Sequence, residues 1–138
     1  MMLIKTYIAP SPIHGLGIFT AQFVRYGTKL WEFTVGFDQI IPDALFNNLT
    51  LIQRESLSIH LYREPTINQM VLCCDNARYF NFSADPNCGE TEQDKYSTYA
   101  LRNIQENEEL TYPAAEDLDA INKLGIELYE KLKQERQT

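Results

Sequence analysis

Short apolar runs separated by polar, glycine- and proline-bearing breaks fill most of the chain. Residues 3–9, Leu-Ile-Lys-Thr-Tyr-Ile-Ala, predict a first strand. Pro10, Pro12, Gly15 and Gly17 then interrupt regular structure. Ile18 to Ala21 is short and apolar, and Gly27 marks a turn. Lys29 to Val35 is rich in β-branched and aromatic residues, as a pleated strand prefers. From Asp43 to Leu61, Leu45, Leu49, Ile52, Leu57 and Leu61 recur at near-helical spacing behind Pro42, which predicts one internal helix. Met70 to Cys74 is a short apolar strand and residues 81–95 read as a polar loop. Ser97 to Arg102 and Glu109 to Tyr112 predict two more strands, with a hairpin turn at Glu106-Asn107 between them. Over residues 116–134, Leu118, Ile121, Leu124, Leu128 and Leu132 form one apolar stripe of a C-terminal amphipathic helix. The sum is an α+β domain, mainly β, with one internal and one terminal helix.

The length of 138 residues suits one domain over 1–138, with 44% hydrophobic residues to build a core. Eight Tyr and seven Phe are more aromatic residues than disorder carries. The net charge is −7, and residues 105–138 hold nine acids against four bases. That imbalance argues against nucleic acid and anionic membranes, and favours a basic partner such as a lysine-rich protein segment. No apolar run approaches the roughly 20 residues that span a bilayer, and the first nine residues do not resemble a signal peptide. Cys73, Cys74 and Cys88 are odd in number, and adjacent Cys73 and Cys74 point to opposite faces of a strand. Reduced thiols in a cytoplasm account for them most simply.

Three polar blocks carry the candidate chemistry. In Ser11-Pro12-Ile13-His14-Gly15-Leu16-Gly17-Ile18-Phe19, two glycines let a backbone approach a ligand, and successive N–H groups suit a carboxylate. The second block runs from Asp75 through Arg78, Asn81, Phe82 and Ser83 to Pro86-Asn87, and alone reads as an Asx- and proline-stabilised loop. The third is Ala100-Leu101-Arg102-Asn103-Ile104-Gln105-Glu106-Asn107-Glu108-Glu109-Leu110-Thr111-Tyr112.

In this order the blocks resemble the SET family, whose pattern runs roughly S-x-I-H-G-x-G-x-F, R-F-x-N-H-S-x-x-P-N and A-x-R-x-I-x-x-G-E-E-L-T-x-D-Y. Trp31 to Asp38 is similar to short bacterial-type members, and the motif-bearing core covers about residues 3–114. The resemblance implies a β-clip fold of small curled sheets with a knot-like C-terminal crossing near Asn81 and Tyr112. It implies methyl transfer from S-adenosylmethionine to a protein lysine, without a metal. Such transfer needs a neutral amine, and holding lysine neutral near pH 7 costs roughly 4 kcal/mol. By the same resemblance, Gly15, Leu16 and Gly17 bind the methionine part of the cofactor, while Asn81 and Phe82 hold the adenosine part. Arg78 supports the loop and Phe33 lines the substrate channel.

The departures concern chemistry. Phe82 replaces the family's His, Pro113 its Asp, and Ala114 the Tyr that positions methyl group and amine. Phe33 stands where a Tyr is usual. Tyr112 is the surviving candidate for the positioning hydroxyl, since residues i and i+2 of a strand share a face. Ala84 takes the place of the first Cys of the family's zinc-binding tail, and no cysteine follows Cys88, so no structural zinc is expected. A catalytically weak or inactive cofactor- or protein-binding module is the alternative.

Overall fold

The computed structural model describes residues 1–64 and 69–113; the expected helix over 116–134 and Ala114 lie outside the described residues. Among the described residues, ten short strands form four small sheets. Strands β1 (Thr6–Pro10) and β2 (Leu16–Thr20) pair antiparallel, with Tyr7 opposite Phe19 and their rings stacked at 5.5 Å. Gly17 is thus part of a strand, although a break was expected there. Strand β3 (Lys29–Glu32) is shorter than expected, because the chain turns through Thr34 to Phe37, with Gly36 at φ 88° and the Thr34 carbonyl accepting from the Phe37 and Asp38 N–H groups.

Four strands and a helix break were not foreseen, two of the strands around the helices and two in the expected loop. Strand β4 (Gln39–Ile41) leads into α1 (Asp43–Asn47), and α2 (Leu51–Ser58) follows as a separate helix. A reciprocal cap at Thr50 separates them. Its hydroxyl accepts from the Gln53 N–H at 3.2 Å, and the Gln53 side chain accepts from the Thr50 N–H at 3.0 Å. Leu61, expected as the end of one long helix, instead opens β5 (Leu61–Glu64), which pairs with β6 (Gln69–Leu72) beside β4. Cys73, just past β6, is buried and its neighbour Cys74 is exposed, as alternation requires.

After a 3-10 turn at Asn76–Tyr79, the expected loop contains β7 (Asn81–Ser83) and β8 (Cys88–Gly89). Strand β9 (Ser97–Ala100) lies between β3 and β8. The turn at Asn107 exists, but its arms do not pair with each other: Ile104 bridges to Val24 and Glu109 to Phe19. Asn107 has φ 70°, a conformation that glycine takes readily and asparagine tolerates. Finally β10 (Thr111–Pro113) runs parallel to β7. The main core consists of Ile18, Val24, Leu30, Cys88, Ala100, Ile104 and Leu110. It draws Ile18 from the first block, Cys88 from directly after the second and Ala100, Ile104 and Leu110 from the third, so the fold holds these blocks together.

Candidate functional site

The three motif blocks meet at one carboxylate. The Ser11 hydroxyl donates to the Glu109 side chain at 2.6 and 2.9 Å, and the Asn81 amide donates to Glu109 Oε2 at 3.1 Å. The same Asn81 amide faces the carbonyl oxygens of His14 at 3.0 Å and Leu16 at 3.2 Å. Ser11 Oγ in turn accepts from the Ile13 N–H at 2.9 Å. These charge-assisted bonds fix the loop before β2 to β7 and to the segment entering β10.

Gly15 and Gly17 act differently. Gly15 has φ 45°, and a Cβ built there would meet no atom within 4 Å, so its requirement is conformational and its outer side is open. A Cβ on Gly17 would fall 2.8 Å from Glu109 Oε2, 2.9 Å from Glu109 Cδ and 3.1 Å from Ser11 Cβ. The space on the Cβ side of the second glycine is therefore filled by Glu109. The Ile13 N–H points at Ser11 Oγ, so the loop is not a simple row of amides awaiting a carboxylate.

Asn87 forms a second tie. It is only 2% exposed; its side-chain oxygen accepts from the Thr111 N–H at 2.8 Å and its amide donates to the Glu109 carbonyl at 2.8 Å. One side chain thus imitates a neighbouring strand. The neighbouring Cys88 thiol donates to the same oxygen at 3.2 Å, and burial pushes that thiol up to about 12, against smaller opposing effects from the Thr111 backbone and Arg102. The sequence suggested only a turn at Pro86-Asn87. Neither Asn87 nor Glu109 and Ser11 had been assigned a role, although all three lie within the quoted blocks.

Strands β7 and β10 bring the remaining candidates together. Their register sets Asn81 opposite Thr111 and Phe82 opposite Tyr112. The Tyr112 ring meets Phe80 edge-on at 6.1 Å and packs against the main core, whereas Phe82 is 38% exposed. Phe80 also packs on a second cluster, with Phe33 and Tyr62 around buried Trp31, Cys73 and Ala77. Phe80 therefore lies between the Tyr112 ring and the cluster on which Phe33 also packs. Arg78 donates to the Cys73 carbonyl at 3.2 and 3.0 Å, a supporting role for the loop. Among the described residues, no group of three or more His, Cys, Asp or Glu is arranged to hold a metal ion, and no helix is long and apolar enough to cross a membrane.

A family model for the SET domain matches residues 15–113. This chain belongs to the SET domain family. The SET assignment agrees with solved structures of the same fold. A candidate histone methyltransferase of Plasmodium falciparum is 20% identical, with a TM-score of 0.53 over 83% of this chain and 96% of that one. A humanized mutant of the Chaetomium thermophilum Polycomb Repressive Complex 2, bound to the inhibitor GSK126, is 18% identical, with a TM-score of 0.59 over 82% of this chain and 15% of that one. No curated protein matches the sequence. The small sheets and the β7–β10 pairing follow the SET fold expected from the motifs.

Proposed function

We propose that this SET domain transfers a methyl group from S-adenosylmethionine to a lysine of a protein substrate. The observation that carries the reading is the joining of all three motifs at Glu109, directly behind the exposed loop at residues 12–16. The loop fits an amino-acid-like ligand end. Gly15 is open on its outer side, and the carbonyl oxygens of His14 and Leu16 lie beside the Asn81 amide, an acceptor-rich surface suited to an ammonium. Gly15, Leu16 and Gly17 would hold the methionine part, and Asn81 with the backbone of Phe82 the adenosine part. When bound, the cofactor supplies an electrophilic methyl group.

This chain's own residues must then deliver a neutral, oriented lysine amine. Apolar side chains such as Phe33, Phe80 and Tyr112 would disfavour the ammonium form by withholding water. The Tyr112 hydroxyl is assigned the positioning role. An acidic chain attracts a basic substrate segment, and free thiols fit a cytoplasmic setting.

One observation favours a second reading, a cofactor- or protein-binding module without turnover. Phe82 presents an exposed ring with no polar atom where the family has an imidazole, and Ala114 offers no hydroxyl. Calorimetry with S-adenosylmethionine, followed by single-turnover transfer to a panel of lysine-rich proteins, separates the two. No heat of binding at millimolar cofactor overturns the enzyme reading and the cofactor-binding form of the second, and leaves a protein-binding module. Binding without transfer across the panel overturns the enzyme reading alone.

A further inference from the structure

Beyond Phe80 the fold buries a polar atom that has no partner. Trp31, the single tryptophan of the chain, is 5% exposed, and among the described residues its buried indole Nε1–H meets no hydrogen-bond acceptor. A buried donor left unpaired costs stability, and folded proteins keep few of them. The surroundings offer little to a water, which needs about two to four polar partners. Cys73 and Ala77 are buried beside the indole, and half-buried Met2, Phe33, Tyr62 and Phe80 pack against them. Such a cluster suits an acceptor that arrives at the end of an apolar stem.

We propose that Trp31 is a positioning residue whose indole N–H receives the neutral amine of the substrate lysine. The indole nitrogen only donates. An ammonium also only donates, so the two repel, whereas a neutral amine has a lone pair and accepts. A lone donor among aromatic rings therefore selects the form that methyl transfer needs and rejects the form that predominates at pH 7. The place fits this role. Phe33, the channel wall implied by the motif resemblance, packs on the Trp31 cluster, and so does Phe80, whose ring meets Tyr112 at 6.1 Å. Met2 is unbranched and is the covering side chain best able to move aside for a lysine stem. The charged groups around the cluster are committed elsewhere. Arg78 donates to the Cys73 carbonyl at 3.2 and 3.0 Å, and Asp75 accepts from the Met2 and Ala77 N–H groups at 2.7 and 3.1 Å. Lys29 and Glu32 of β3 pair with each other at 2.8 Å. Burial pushes the Cys73 thiol up to about 12, so it stays protonated through pH 9. The inference rests on the methyl-transfer reading for its purpose, whereas the amine contact is tested without turnover.

One tryptophan gives one indole N–H signal in a nitrogen-correlated NMR spectrum of the full chain. The probe is butylamine, a lysine side chain without its main chain. The signal is expected at the position of an unbonded indole in the free chain, and to move to lower field as butylamine is added. The neutral fraction of such an amine rises about a hundredfold from pH 7 to pH 9, so the midpoint in total amine is expected to fall about a hundredfold. Tetramethylammonium, which has no lone pair, is expected to leave the signal in place. In Trp31→Phe, which keeps a ring and lacks the N–H, the butylamine midpoint read from the Phe33 and Phe80 amides is expected to rise about fivefold. Three results overturn the proposal: an indole signal that butylamine leaves in place at pH 9; equal midpoints in total amine at both pH values, which means that the ammonium binds; or an indole already hydrogen-bonded in the free chain. An unmoved signal in a chain that binds S-adenosylmethionine and transfers methyl sinks this inference alone. A moved signal without transfer upholds the amine site and sinks the enzyme reading.

Discussion

Replacing Gly17 with Ala isolates the contact that joins the three motifs. The added Cβ would lie 2.8 Å from Glu109 Oε2, closer than such atoms are found, and 3.1 Å from Ser11 Cβ, tighter than most Cβ contacts. The carboxylate cannot simply swing away, because Ser11 holds it at 2.6 and 2.9 Å and Asn81 at 3.1 Å. Overpacking of this kind costs about 1–3 kcal/mol, and a weakened charge-assisted hydrogen bond adds about 1 kcal/mol or more. Gly17→Ala is therefore expected to destabilise the domain by about 2–3 kcal/mol in urea unfolding. Glu109→Ala removes the obstacle together with the acceptor for Ser11 and Asn81, and costs a similar amount. The double variant has room for the new methyl group, so its loss is expected to fall short of the two single losses added together, by about 1 kcal/mol or more. A neutral Gly17→Ala, or strict additivity in the cycle, refutes the packing argument.

Four further outcomes are expected. Tyr112→Phe removes one hydroxyl from a packed ring and is expected to slow single-turnover transfer about a hundredfold with little change in melting temperature; equal rates make Tyr112 purely structural. Burial raises the Asp38 carboxyl, but the Met1 ammonium and the Thr34 and Cys74 N–H groups outweigh it and hold the group below its ordinary value. Its stabilising contribution is complete above the unfolded value near about 4 and is lost as pH falls through the lower folded value, so the deficit of Asp38→Asn in thermal melts is expected to be largest at pH 7 and to shrink toward pH 3; a constant deficit contradicts this. Burial pushes the Cys73 and Cys88 thiols up to about 12 while Cys74 is exposed, so a thiol reagent at pH 8 is expected to label one cysteine in the native protein and three after unfolding. A strong chelator is expected to leave the melting temperature unchanged; a drop that zinc restores shows a metal site.

What the sequence revealed depended on range. The order of the three blocks was legible because each is contiguous, and it led to the right fold. That adjacent Cys73 and Cys74 face opposite ways was legible for the same reason, whereas which of the two is buried was not. The break between α1 and α2 was written locally as Thr50 and Gln53, but the leucine spacing across it suggested one helix. Strand β5 was hidden because four residues with one apolar end fit a helix tail as well as an edge strand. The ties at Glu109 and Asn87 were not legible, because their partners lie 98 and 24 residues away. Only the folded chain reveals that Gly17 is small for the sake of Glu109.

The site separates two tasks that the family's motif usually combines. Holding the loop falls to buried or half-buried polar groups, Ser11, Asn81, Asn87 and Glu109, and all of these are present with their bonds made. The proposed positioning of an amine would fall to polar groups of the motif, and in the sequence Phe82 stands for the family's imidazole and Ala114 for its phenol. The first task depends on unpaired groups being costly to bury, so losing any one of these residues destabilises the fold itself. The second carries no such cost, because an exposed or aromatic replacement leaves nothing unsatisfied. Phe82 can thus stand opposite Tyr112 without strain on the β7–β10 pair. Ligand binding and turnover are therefore to be tested apart, and Tyr112→Phe, which keeps the ring against Phe80, is the variant that tests the proposed positioning role.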